Sequence, residues 1–415
     1  MSRLPAYDTA LAQVLDALAP LPTARRVPLA ASLGAVLAEP IAADRDLPPF
    51  DRATMDGYAV RTEDVQPGAK LLVAETIPAG KPPAQPLAPG TAAAIATGSP
   101  LPVGANAVIP HEQSDRGFPH VTFPGPRPEP WANVHRRASD ARAGQAVLQP
   151  SLRMAPHHTG IAATVGCVRP LVSGAPPVAR LLTSGDEVVP PAVSTATLEP
   201  HQIRNSNMVM LAGTLTAFGA AVDGSVHLPD DPHAIGEAVR RAADEVDVIV
   251  TTGGVSAGER DYFPGAIAAA GFREIIRGVS IQPGRPICVA ARSGDRQVVV
   301  VALPGNPVSV LATAHLFLWP VLLRLAGASP DLPWRDVTLA EPILPNPKRE
   351  AFRPAVLAQP SQQCRPPLVR VPAWAGSGDL VHTAPTHGLV RLPLQDAPVE
   401  AGTPLKYLPW AWNTR

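Results

Sequence analysis

Two strongly apolar stretches decide the fold of this chain: Asp247–Thr252, with the sequence DVIVTT, and Gln297–Leu303, with the sequence QVVVVAL. Each is followed at once by a turn sequence, Gly253-Gly254 after the first and Pro304-Gly305-Asn306 after the second. A continuous apolar run of this length bounded by a tight turn is typical of a strand that is buried on both faces. Both stretches therefore predict central strands of a covered sheet.

The segments around these two stretches alternate between strand and helix patterns. Further strands are predicted at Val178–Leu182 and Ala221–His227, and helices at Asn207–Gly219, Pro232–Val246, Glu259–Ala270 and Pro307–Leu325. Alternating strands and helices with uniformly apolar strands predict a doubly wound α/β domain, in which a parallel sheet carries helices on both faces.

The rest of the chain has a different character. Tyr7–Ala19 has helical spacing of apolar residues and ends at prolines. Residues 42–142 and the chain after Gly327 contain short β-type runs separated by Pro and Gly turns. With 415 residues, the chain is long enough for two to four domains. We therefore predict a β-rich module before the α/β domain and a separate β domain after it.

The composition excludes several classes of protein. The chain has 35 Lys+Arg and 35 Asp+Glu, so it lacks the basic field of a nonspecific nucleic-acid binder or a polybasic membrane protein. Its 3 cysteines lie far apart and fit neither a disulfide framework nor a metal knuckle. No leader pattern and no uninterrupted apolar run of about 18 residues occurs. We expect a soluble, cytoplasmic protein with no nucleic-acid or membrane partner.

Three polar, glycine-rich segments follow predicted strands. They are Thr183–Glu187 (TSGDE), Thr251–Gly258 (TTGGVSAG) and Leu303–Ser309 (LPGNPVS). Ligands of doubly wound sheets bind beyond the carboxyl ends of the strands, and backbone N–H groups there can hold a phosphate. Neither a GxGxxG nor a Walker motif is present, which argues against an ordinary dinucleotide or nucleoside triphosphate site. Each loop alone could be a simple turn, but three together predict a binding site.

Several motifs resemble those of a known family. TTGGVSAGERDYF and LPGNPVSV resemble the molybdopterin-binding domain of MogA-, MoaB- and MoeA-type proteins. Pro48–Val60 (PPFDRATMDGYAV) resembles the most specific MoeA signature. Further matching stretches are Thr97–Pro100 with Gly104–Val108, Asn133–Asp140, Ile281–Pro286 and Gly376–Asp379. The motifs are colinear from about residue 5 to 410, so the chain resembles the MoeA-type molybdopterin molybdenumtransferases, which share the fold of the gephyrin E domain.

The resemblance implies an architecture and a reaction. Domain I would comprise residues 1–44 and 143–177, and domain II, a β-rich lid, residues 45–142. Domain III, residues 178–326, would bind molybdopterin, and domain IV, residues 327–415, would be a β barrel. The implied protein is a homodimeric, Mg²⁺-dependent insertase that converts adenylylated molybdopterin and molybdate into molybdenum cofactor and AMP. Its partners would be the upstream molybdopterin adenylyltransferase and cofactor-accepting molybdoenzymes or their chaperones.

The resemblance also implies site residues. Molybdate is a tetrahedral dianion, which suits a cation, hydroxyls and N–H groups, whereas Mg²⁺ prefers carboxylate oxygens. The predicted catalytic residues are Asp56, Glu187, Asp261, Arg285 and Ser377, with Arg353 a weaker candidate for the anion. The predicted Mg²⁺ ligands are Asp56, Glu187, Asp140 and Asp261, although a turn or cap role is an alternative for an isolated Asp. The predicted cofactor-binding residues are Thr97, Ser184, Gly185, Asp186, Gly253, Gly254, Ser256, Gly258, Pro304, Gly305, Asn306, Pro307 and Ser309.

The chain departs from the family pattern at five positions. Gln282 and Arg285 stand at the two lysines of the KPGKP motif, Asn106 and Asn205 stand at aspartates, and Ala138 stands at a glycine. Gln282 removes a charge near the proposed anion, at a cost of about 1–3 kcal/mol if that charge binds it. A second hypothesis is therefore a molybdopterin-binding carrier or scaffold with weak or no insertase activity. An unrelated nucleotide-binding enzyme is a third reading, which would make the colinear motifs coincidental.

Overall fold

The computed structural model describes residues 4–21, 24–173, 176–254, 262–294, 296–358 and 366–413. These residues form two compact units. One unit consists of residues 26–171, and the other combines residues 1–25 with residues 172–415. Helix α1 (Tyr7–Asp16) opens the chain and belongs to the second unit. Short 3-10 segments lie between several of the main elements.

The unit of residues 26–171 contains mostly short strands and one helix, α2 (Pro156–Thr164). Its strands and those that border it are β1 (Arg25–Arg26), β2 (Ile41–Ala42), β3 (Arg52–Ala53), β4 (Gly57–Val60), β5 (Lys70–Ile77), β6 (Thr91–Ile95), β7 (Ala107–Pro110), β8 (His120–Thr122), β9 (Val134–His135), β10 (Ala146–Leu148) and β11 (Leu171–Val172).

A mixed five-stranded sheet with the order β7-β4-β6-β5-β8 is the centre of this unit. Strand β4 is antiparallel to both neighbours, and β5 and β6 are parallel. All four residues of β4 are buried, because the sheet has an apolar cluster on each face. The predicted β-rich module is therefore present, and α2 packs in a separate small core with β2 and β10.

The second unit contains the strands and helices of the predicted α/β region. Its strands up to residue 303 are β12 (Val178–Ser184), β13 (Val188–Val189), β14 (Ile203–Arg204), β15 (Ala221–Leu228), β16 (Val248–Thr252), β17 (Arg273–Arg277), β18 (Ile281–Gln282), β19 (Cys288–Arg292) and β20 (Val298–Leu303). Its helices are α3 (Ser206–Ala217), α4 (Pro232–Glu245), α5 (Phe263–Ala269), α6 (Pro307–Thr313) and α7 (Trp319–Leu325). The prediction of a covered α/β sheet is confirmed, with one apolar cluster on each face.

The sheet is mixed rather than entirely parallel, and this corrects the sequence prediction. Its order is β15-β12-β16-β20-β19-β17. The first four strands are parallel, whereas β19 is antiparallel to β20 and to β17. The connection from β19 to β20 is too short for the crossover of a dozen or more residues that parallel neighbours need.

The predicted helix Pro307–Leu325 is continuous but changes its geometry in the middle. Residues Ala314–Leu318 form a π turn between α6 and α7. Pro320, the second residue of α7, has no N–H to donate to the preceding turn, so the wider turn fits a position that would break an α-helix. By length and composition this stretch could cross a membrane, but 89% of its most apolar window is buried inside the protein. Such burial is typical of a core helix.

A closed barrel forms the end of the chain. Its strands are β21 (Arg335–Leu339), β22 (Glu350–Leu357), β23 (Leu368–Arg370), β24 (Gly388–Leu392) and β25 (Pro404–Pro409). The ring closes because β24 pairs with both β25 and β22. Strand β18, which comes from the α/β region, pairs in parallel with β22 and extends the barrel sheet. The predicted C-terminal β barrel is confirmed.

Helix α1 packs in the core of the second unit rather than with residues 26–171. Tyr7 is buried and makes edge contacts with Phe317, Trp334 and Phe352. Arg391 of β24 forms an ion pair with Asp8 at 2.6 Å. The start of the predicted domain I therefore groups with the α/β region and the barrel, because its apolar face is covered there. The four predicted domain limits otherwise remain a prediction.

Candidate functional site

The candidate site lies where the strand order of the α/β sheet reverses. Strand β12 has the later strand β15 on one side and β16 on the other. In doubly wound sheets, ligands bind in the crevice at this switch point, beyond the carboxyl ends of the strands. Here Ser184 ends β12 and Gly253 follows β16. A Cβ atom on Gly253 would lie 2.8 Å from the Ser184 carbonyl oxygen, and its φ is +88°. Only glycine therefore lets the two loops approach.

The loop after β20 is fastened to the same edge by side chains. Nδ2 of Asn207 donates to the Gly305 carbonyl oxygen at 2.7 Å and to Oγ1 of Thr252 at 3.2 Å. The Thr252 hydroxyl in turn donates to the Pro304 carbonyl oxygen at 2.9 Å. Two of the three predicted loops are thus joined directly. Asn207 was predicted only as the start of a helix and not as a site residue, because it lies in the first turn of α3 and outside the quoted motifs.

One cleft at this edge is lined by the α/β loops and by the barrel. We call it the anion cleft; its volume is about 510 Å³. Its charged lining residues are Glu187, Arg285 and Arg349. The other lining residues are Gly253, Gly254, Gln282, Pro283, Gly284, Pro286, Pro304, Gly305, Asn306, Ser309, Trp374 and Ser377. The two guanidinium groups outnumber the single carboxylate, so the charged lining of the anion cleft is net positive, which suits an oxyanion.

Ser377 brings the barrel side of the anion cleft to the α/β side. Nδ2 of Asn306 donates to its Oγ at 2.8 Å, and the N–H of Val308 donates to its carbonyl oxygen at 3.0 Å. Ser377 and Arg285 were both predicted to bind the anion, and both line this cleft. The position of Ser377 depends on long-range packing that its own turn sequence does not encode.

A second cleft of about 530 Å³ adjoins the anion cleft and shares Glu187, Gly253, Gly305 and Asn306 with it. We call it the amide cleft after Asn205, Asn207 and Asn306, whose side-chain amides are among its lining groups. Its other lining residues are Thr183, Ser184, Val188, Ile203, Arg204, Asn205, Ser206, Asn207, Thr252, Pro307, Gly378, Asp379, Leu380 and Val381. Its charged lining residues are Glu187, Arg204 and Asp379, and its amides and hydroxyls can form hydrogen bonds with a polar ring system.

Most predicted loop residues line one or both clefts. Those that do are Ser184, Glu187, Gly253, Gly254, Arg285, Pro304, Gly305, Asn306, Pro307, Ser309 and Ser377. Gly185 and Asp186 line neither. The backbone N–H of Asp230 donates to Oδ1 of Asp186 at 3.1 Å, so that side chain fastens two loops together. Ser256, Gly258 and Asp261 lie outside the described residues.

Arg353, the weaker candidate for the anion, points to a different recess. Its guanidinium carbon lies 4.3 Å from the ring centre of Trp374. Both residues line a small recess with Asp379 and His382. Its Nε is buried without a hydrogen-bond partner in the described part of the chain, and burial lowers the pKa of Arg353. Arg353 is therefore not among the lining residues of the anion cleft.

Asp56 and Thr97 are brought together in the unit of residues 26–171. Oδ1 of Asp56 accepts hydrogen bonds from the Thr97 N–H at 2.7 Å and from the Thr97 hydroxyl at 2.9 Å. These two bonds lower the pKa of the exposed Asp56 carboxyl. Its neighbour Gly57 is buried against β7, where a Cβ atom would lie 2.0 Å from the Ile109 carbonyl oxygen. The glycine of the most specific motif is thus required by strand packing.

Asp140 is held by a histidine in the same unit. Nε2 of His135 lies 2.7 Å from Oδ1 of Asp140, and an Arg52 guanidinium nitrogen lies 3.0 Å from Nδ1 of His135. Because the guanidinium can only donate, Nδ1 accepts and Nε2 carries the proton that Asp140 accepts. Asp140 therefore has a polar partner already.

A preformed metal centre is not present among the described residues, where no three His, Cys, Asp or Glu side chains form a group that would hold a metal ion. Mg²⁺ sites in proteins often use only one or two carboxylates together with substrate phosphates and water. The exposed Asp56 and the cleft residue Glu187 fit that limited role, and Mg²⁺ remains a prediction.

Three departures from the family pattern have structural roles. Oδ1 of Asn106 accepts from the Thr62 N–H at 2.8 Å while its Nδ2 donates to the Thr62 hydroxyl at 3.1 Å. The buried Asn205 caps α3 by accepting from the Met208 N–H and donates to the Thr183 hydroxyl, both at 3.0 Å. An aspartate could accept but not donate in either place. Ala138 has a φ of 62°, which explains the preference for glycine there.

Comparison with known proteins agrees with this fold. Residues 6–166 match the MoeA N-terminal region (domain I and II), and residues 180–324 match a probable molybdopterin binding domain. The fold and the two matches together define a multidomain protein of molybdenum cofactor biosynthesis. The chain belongs to the molybdopterin molybdenumtransferase family, whose members are transferases of that biosynthesis.

The family assignment rests on relatives that match over nearly the whole chain. Molybdopterin molybdenumtransferase 2 of Mycobacterium tuberculosis is 34% identical and covers 96% of this chain and 97% of its own length. A molybdopterin molybdenumtransferase of a Nostoc species is 33% identical over 91% of this chain and 86% of its own. The crystal structure of the molybdopterin biosynthesis MoeA protein from Pyrococcus horikoshii OT3 is 27% identical, has a TM-score of 0.80, and covers 98% of this chain and 100% of its own.

Proposed function

We propose that this chain inserts molybdenum from molybdate into the dithiolene of adenylylated molybdopterin and releases AMP. The observation that carries the proposal is the anion cleft, where Arg285, Arg349 and the Ser377 side chain surround one concavity at the switch point of the sheet. A tetrahedral dianion needs such a combination of cations and hydroxyl donors. The relatives' names support a transferase that acts on molybdopterin.

The two clefts suggest a division of labour. The anion cleft would hold molybdate, while the adjoining amide cleft, with Ser184, Asn207 and Asn306 in its lining, would hold the polar part of the organic substrate. Glu187 lines both clefts. In the reaction, the dithiolene sulfurs replace oxo groups of molybdate, and each displaced oxo group leaves as water after taking up two protons. Hydrolysis of the phosphoanhydride releases AMP.

Mg²⁺ would be held by Asp56 or Glu187 together with substrate phosphate oxygens. When bound, the ion would neutralise charge on the phosphoanhydride. The hydrogen bonds from Thr97 keep Asp56 ionised and fix the orientation of its carboxylate. Asp140 is a weaker candidate because His135 already occupies one of its oxygens. The homodimer, the cytoplasmic location, the upstream adenylyltransferase and the downstream acceptors are part of the same proposal.

An insertase assay tests the proposal. Purified protein is mixed with adenylylated molybdopterin, Mg²⁺ and a molybdate series, and released AMP and formed cofactor are measured. AMP release that depends on both protein and molybdate supports the insertase. Tight binding of the pterin substrate without AMP release at any molybdate concentration would favour the carrier hypothesis, for which the loss of charge at Gln282 is the specific observation.

The variant Asp56→Ala also distinguishes the insertase from the carrier hypothesis. We expect it to abolish AMP release while pterin affinity changes little, because Asp56 is exposed and is not needed for a fold contact apart from Thr97. Glu129→Ala is the matched control, since Glu129 is an exposed carboxylate of the same unit. If the two variants released AMP at the same rate, Asp56 would have no role in the reaction.

A further inference from the structure

We infer that His227 is a positioning residue of the amide cleft: it accepts the hydrogen bond of the Thr183 hydroxyl, so that Thr183 presents an acceptor to the ligand. The ligand group that this arrangement selects is an N–H donor, such as the amino and ring N–H groups of a pterin. The inference deepens the proposed function and rests on it for the identity of the ligand. It also gives a consequence for the asparagine at position 205.

Three side chains near the carboxyl end of β12 form a chain of hydrogen bonds. Nδ2 of Asn205 lies 3.0 Å from Oγ1 of Thr183, and the same oxygen lies 2.9 Å from Nδ1 of His227. Thr183 and His227 are side by side because they are partners in the parallel pairing of β12 with β15. Thr183 and Asn205 line the amide cleft. His227 therefore acts on the cleft through Thr183.

The direction of these hydrogen bonds follows from a backbone contact. The Met208 N–H can only donate, and it lies 3.0 Å from Oδ1 of Asn205, so the Nδ2 of this amide faces Thr183 and donates to it. In the described part of the chain, Nδ1 of His227 is the acceptor within reach of the Thr183 hydroxyl proton. Donation to Nδ1 satisfies both groups, and the His227 proton is then on Nε2.

The hydroxyl oxygen of Thr183 keeps one acceptor position after these two bonds. A hydroxyl has one donor and two lone pairs, and here the donor and one lone pair are used. Thr183 and Asn205 are only 2% and 4% exposed, so water has little access to this oxygen. A ligand group beside it must supply a hydrogen, since a ligand oxygen there would leave two acceptors unpaired. The wall of the cleft thus favours an N–H donor at this point.

A charge on His227 would reverse this preference. In a protonated imidazole both nitrogens are donors. Nδ1 would then donate to Oγ1 of Thr183, which already accepts from Asn205, and the hydroxyl proton would have to turn away toward the cleft. Thr183 would become a donor facing a donor of the ligand. An imidazole gains its second proton around pH 6.5, so ligand binding should depend on pH in that range.

The charged groups around His227 do not pair with it. Helix α3, which packs against β15, contains no charged residue. On β12 and β15 the charged residues are Arg180 and Asp223, which form an ion pair with each other. The other charged groups at this end of the sheet are Asp186, Asp230 and Asp231 in the loops after the two strands, and Glu187, Arg204 and Asp379 in the lining of the amide cleft. Among the described residues, no carboxylate forms an ion pair with His227.

The first test is titration of the full-length protein with molybdopterin at about pH 8 and about pH 5.5, with bound pterin measured by fluorescence after rapid ultrafiltration. His227→Asn keeps an acceptor near the position of Nδ1 but cannot become charged. We expect equal affinities at the higher pH and an affinity of the wild type about 5- to 30-fold lower than that of the variant at the lower pH. Because the two proteins are compared at each pH, protonation of the ligand phosphate cancels.

The matched control is His233→Asn, which changes an exposed histidine of α4 and should follow the wild type at both pH values. Circular dichroism melting shows whether each variant is folded. If the wild type and His227→Asn lost affinity in parallel between the two pH values, the positioning role of His227 would be wrong.

The second test reads the hydrogen-bond direction without any ligand. In protein labelled with ¹⁵N-histidine, NMR should show His227 as the Nε2–H tautomer at about pH 8. In Asn205→Asp the carboxylate cannot donate, so it takes the Thr183 proton, and the Thr183 oxygen then accepts from His227. We therefore expect the Nδ1–H tautomer in this variant. A purely structural role of position 205 would leave the tautomer unchanged.

Failure of the inference can be told apart from failure of the proposed function. If the wild type binds molybdopterin but His227 is the Nδ1–H tautomer, the inference is wrong and the proposed function stands. If the wild-type protein binds no molybdopterin at either pH, the proposed function is wrong and the role of His227 in ligand selection falls with it.

Discussion

Asn306 and Ser377 are joined by a hydrogen bond in which Nδ2 of the asparagine donates to Oγ of the serine at 2.8 Å. Because this oxygen accepts from Asn306, the hydroxyl proton of Ser377 is free to be donated to a ligand in the anion cleft. The same bond fixes the serine rotamer. Asn306 thus orients the Ser377 hydroxyl as a hydrogen-bond donor. Ser377 comes from the barrel and lines a cleft at the edge of the α/β sheet.

Ser377→Ala should weaken molybdate binding about 10-fold or more, since it removes one hydrogen bond to a charged ligand. Ser377→Thr should bind more tightly than the alanine variant, because it keeps the hydroxyl. The measurement is the calorimetric molybdate Kd, with Ser225→Ala, an exposed serine of the same unit, as control. An unchanged Kd for Ser377→Ala would show that this hydroxyl does not bind the anion.

Gly57→Ala should destabilise the unit of residues 26–171 by about 3–5 kcal/mol, within the range for severe backbone clashes. The new methyl group would lie 2.0 Å from the Ile109 carbonyl oxygen and 2.9 Å from Cα of Pro110, so β4 and β7 would have to separate. Urea unfolding followed by circular dichroism measures the loss. Gly125→Ala is the control, because a Cβ atom there meets nothing within 4 Å. Equal stability of the two variants would contradict the predicted clash.

Ala138→Gly should stabilise the protein by about 1 kcal/mol. Ala138 has a φ of 62°, and an L-residue other than glycine pays about 1–2 kcal/mol in this region, partly offset by the flexibility of glycine in the unfolded chain. The free energy of unfolding in urea tests this. Ala88→Gly, at an exposed alanine that does not have a positive φ, should be destabilising instead. If Ala138→Gly and Ala88→Gly both raised or both lowered the free energy of unfolding, the explanation from the positive φ would be wrong.

His315 should make stability fall between about pH 6.5 and pH 4. Burial lowers its pKa from 6.5 to about 4 in the folded protein. Below pH 6.5, His315 is protonated in the unfolded chain but still neutral in the folded protein. The free energy of unfolding therefore decreases as pH falls, and the loss is complete near pH 4. A shift of this size corresponds to a total loss of about 3 kcal/mol.

The test is urea unfolding at several pH values, compared with His315→Gln. The variant should lack this part of the pH dependence, whereas His157→Gln, at an exposed histidine, should keep it. Nδ1 of His315 lies 2.9 Å from the Leu311 carbonyl oxygen, and the glutamine variant is expected to lose stability with this bond. The diagnostic quantity is therefore the slope of the unfolding free energy against pH, not its absolute value. Parallel slopes for the wild type and His315→Gln would refute the assignment.

Much of the fold could be predicted because local pattern and burial agree in the central strands. β16 and β20 are buried at every residue, and their continuous apolar sequences predict this burial. β17 was not predicted because its sequence, REIIR, has charged residues at both ends; it lies at the edge of the sheet, and three of its five residues are exposed. The direction of β19 depends on connection length rather than on composition.

Site residues in loops that follow strands could be predicted. Those that reach the site through contacts between parts of the chain far apart in sequence could not. Asp56 and Thr97 could be named from motifs, but their hydrogen bonds join residues that are 41 positions apart. Arg349 follows a proline-rich stretch without any strand signal of its own, and only the pairing of β18 with β22 brings it beside Gln282. Asn207 was missed because its amide acts on loops from two other strands.

The pairing of β18 with β22 has a consequence for the modularity of the chain. The segment that carries Arg285 is built into the barrel sheet, and the barrel returns Ser377 to the loop after β20. Deleting the barrel after Leu325 would therefore leave β18 without the strand that it pairs with. It would also remove one wall of the anion cleft. The α/β region and the barrel are adjacent in sequence, and because each supplies part of the same cleft, neither forms that cleft alone.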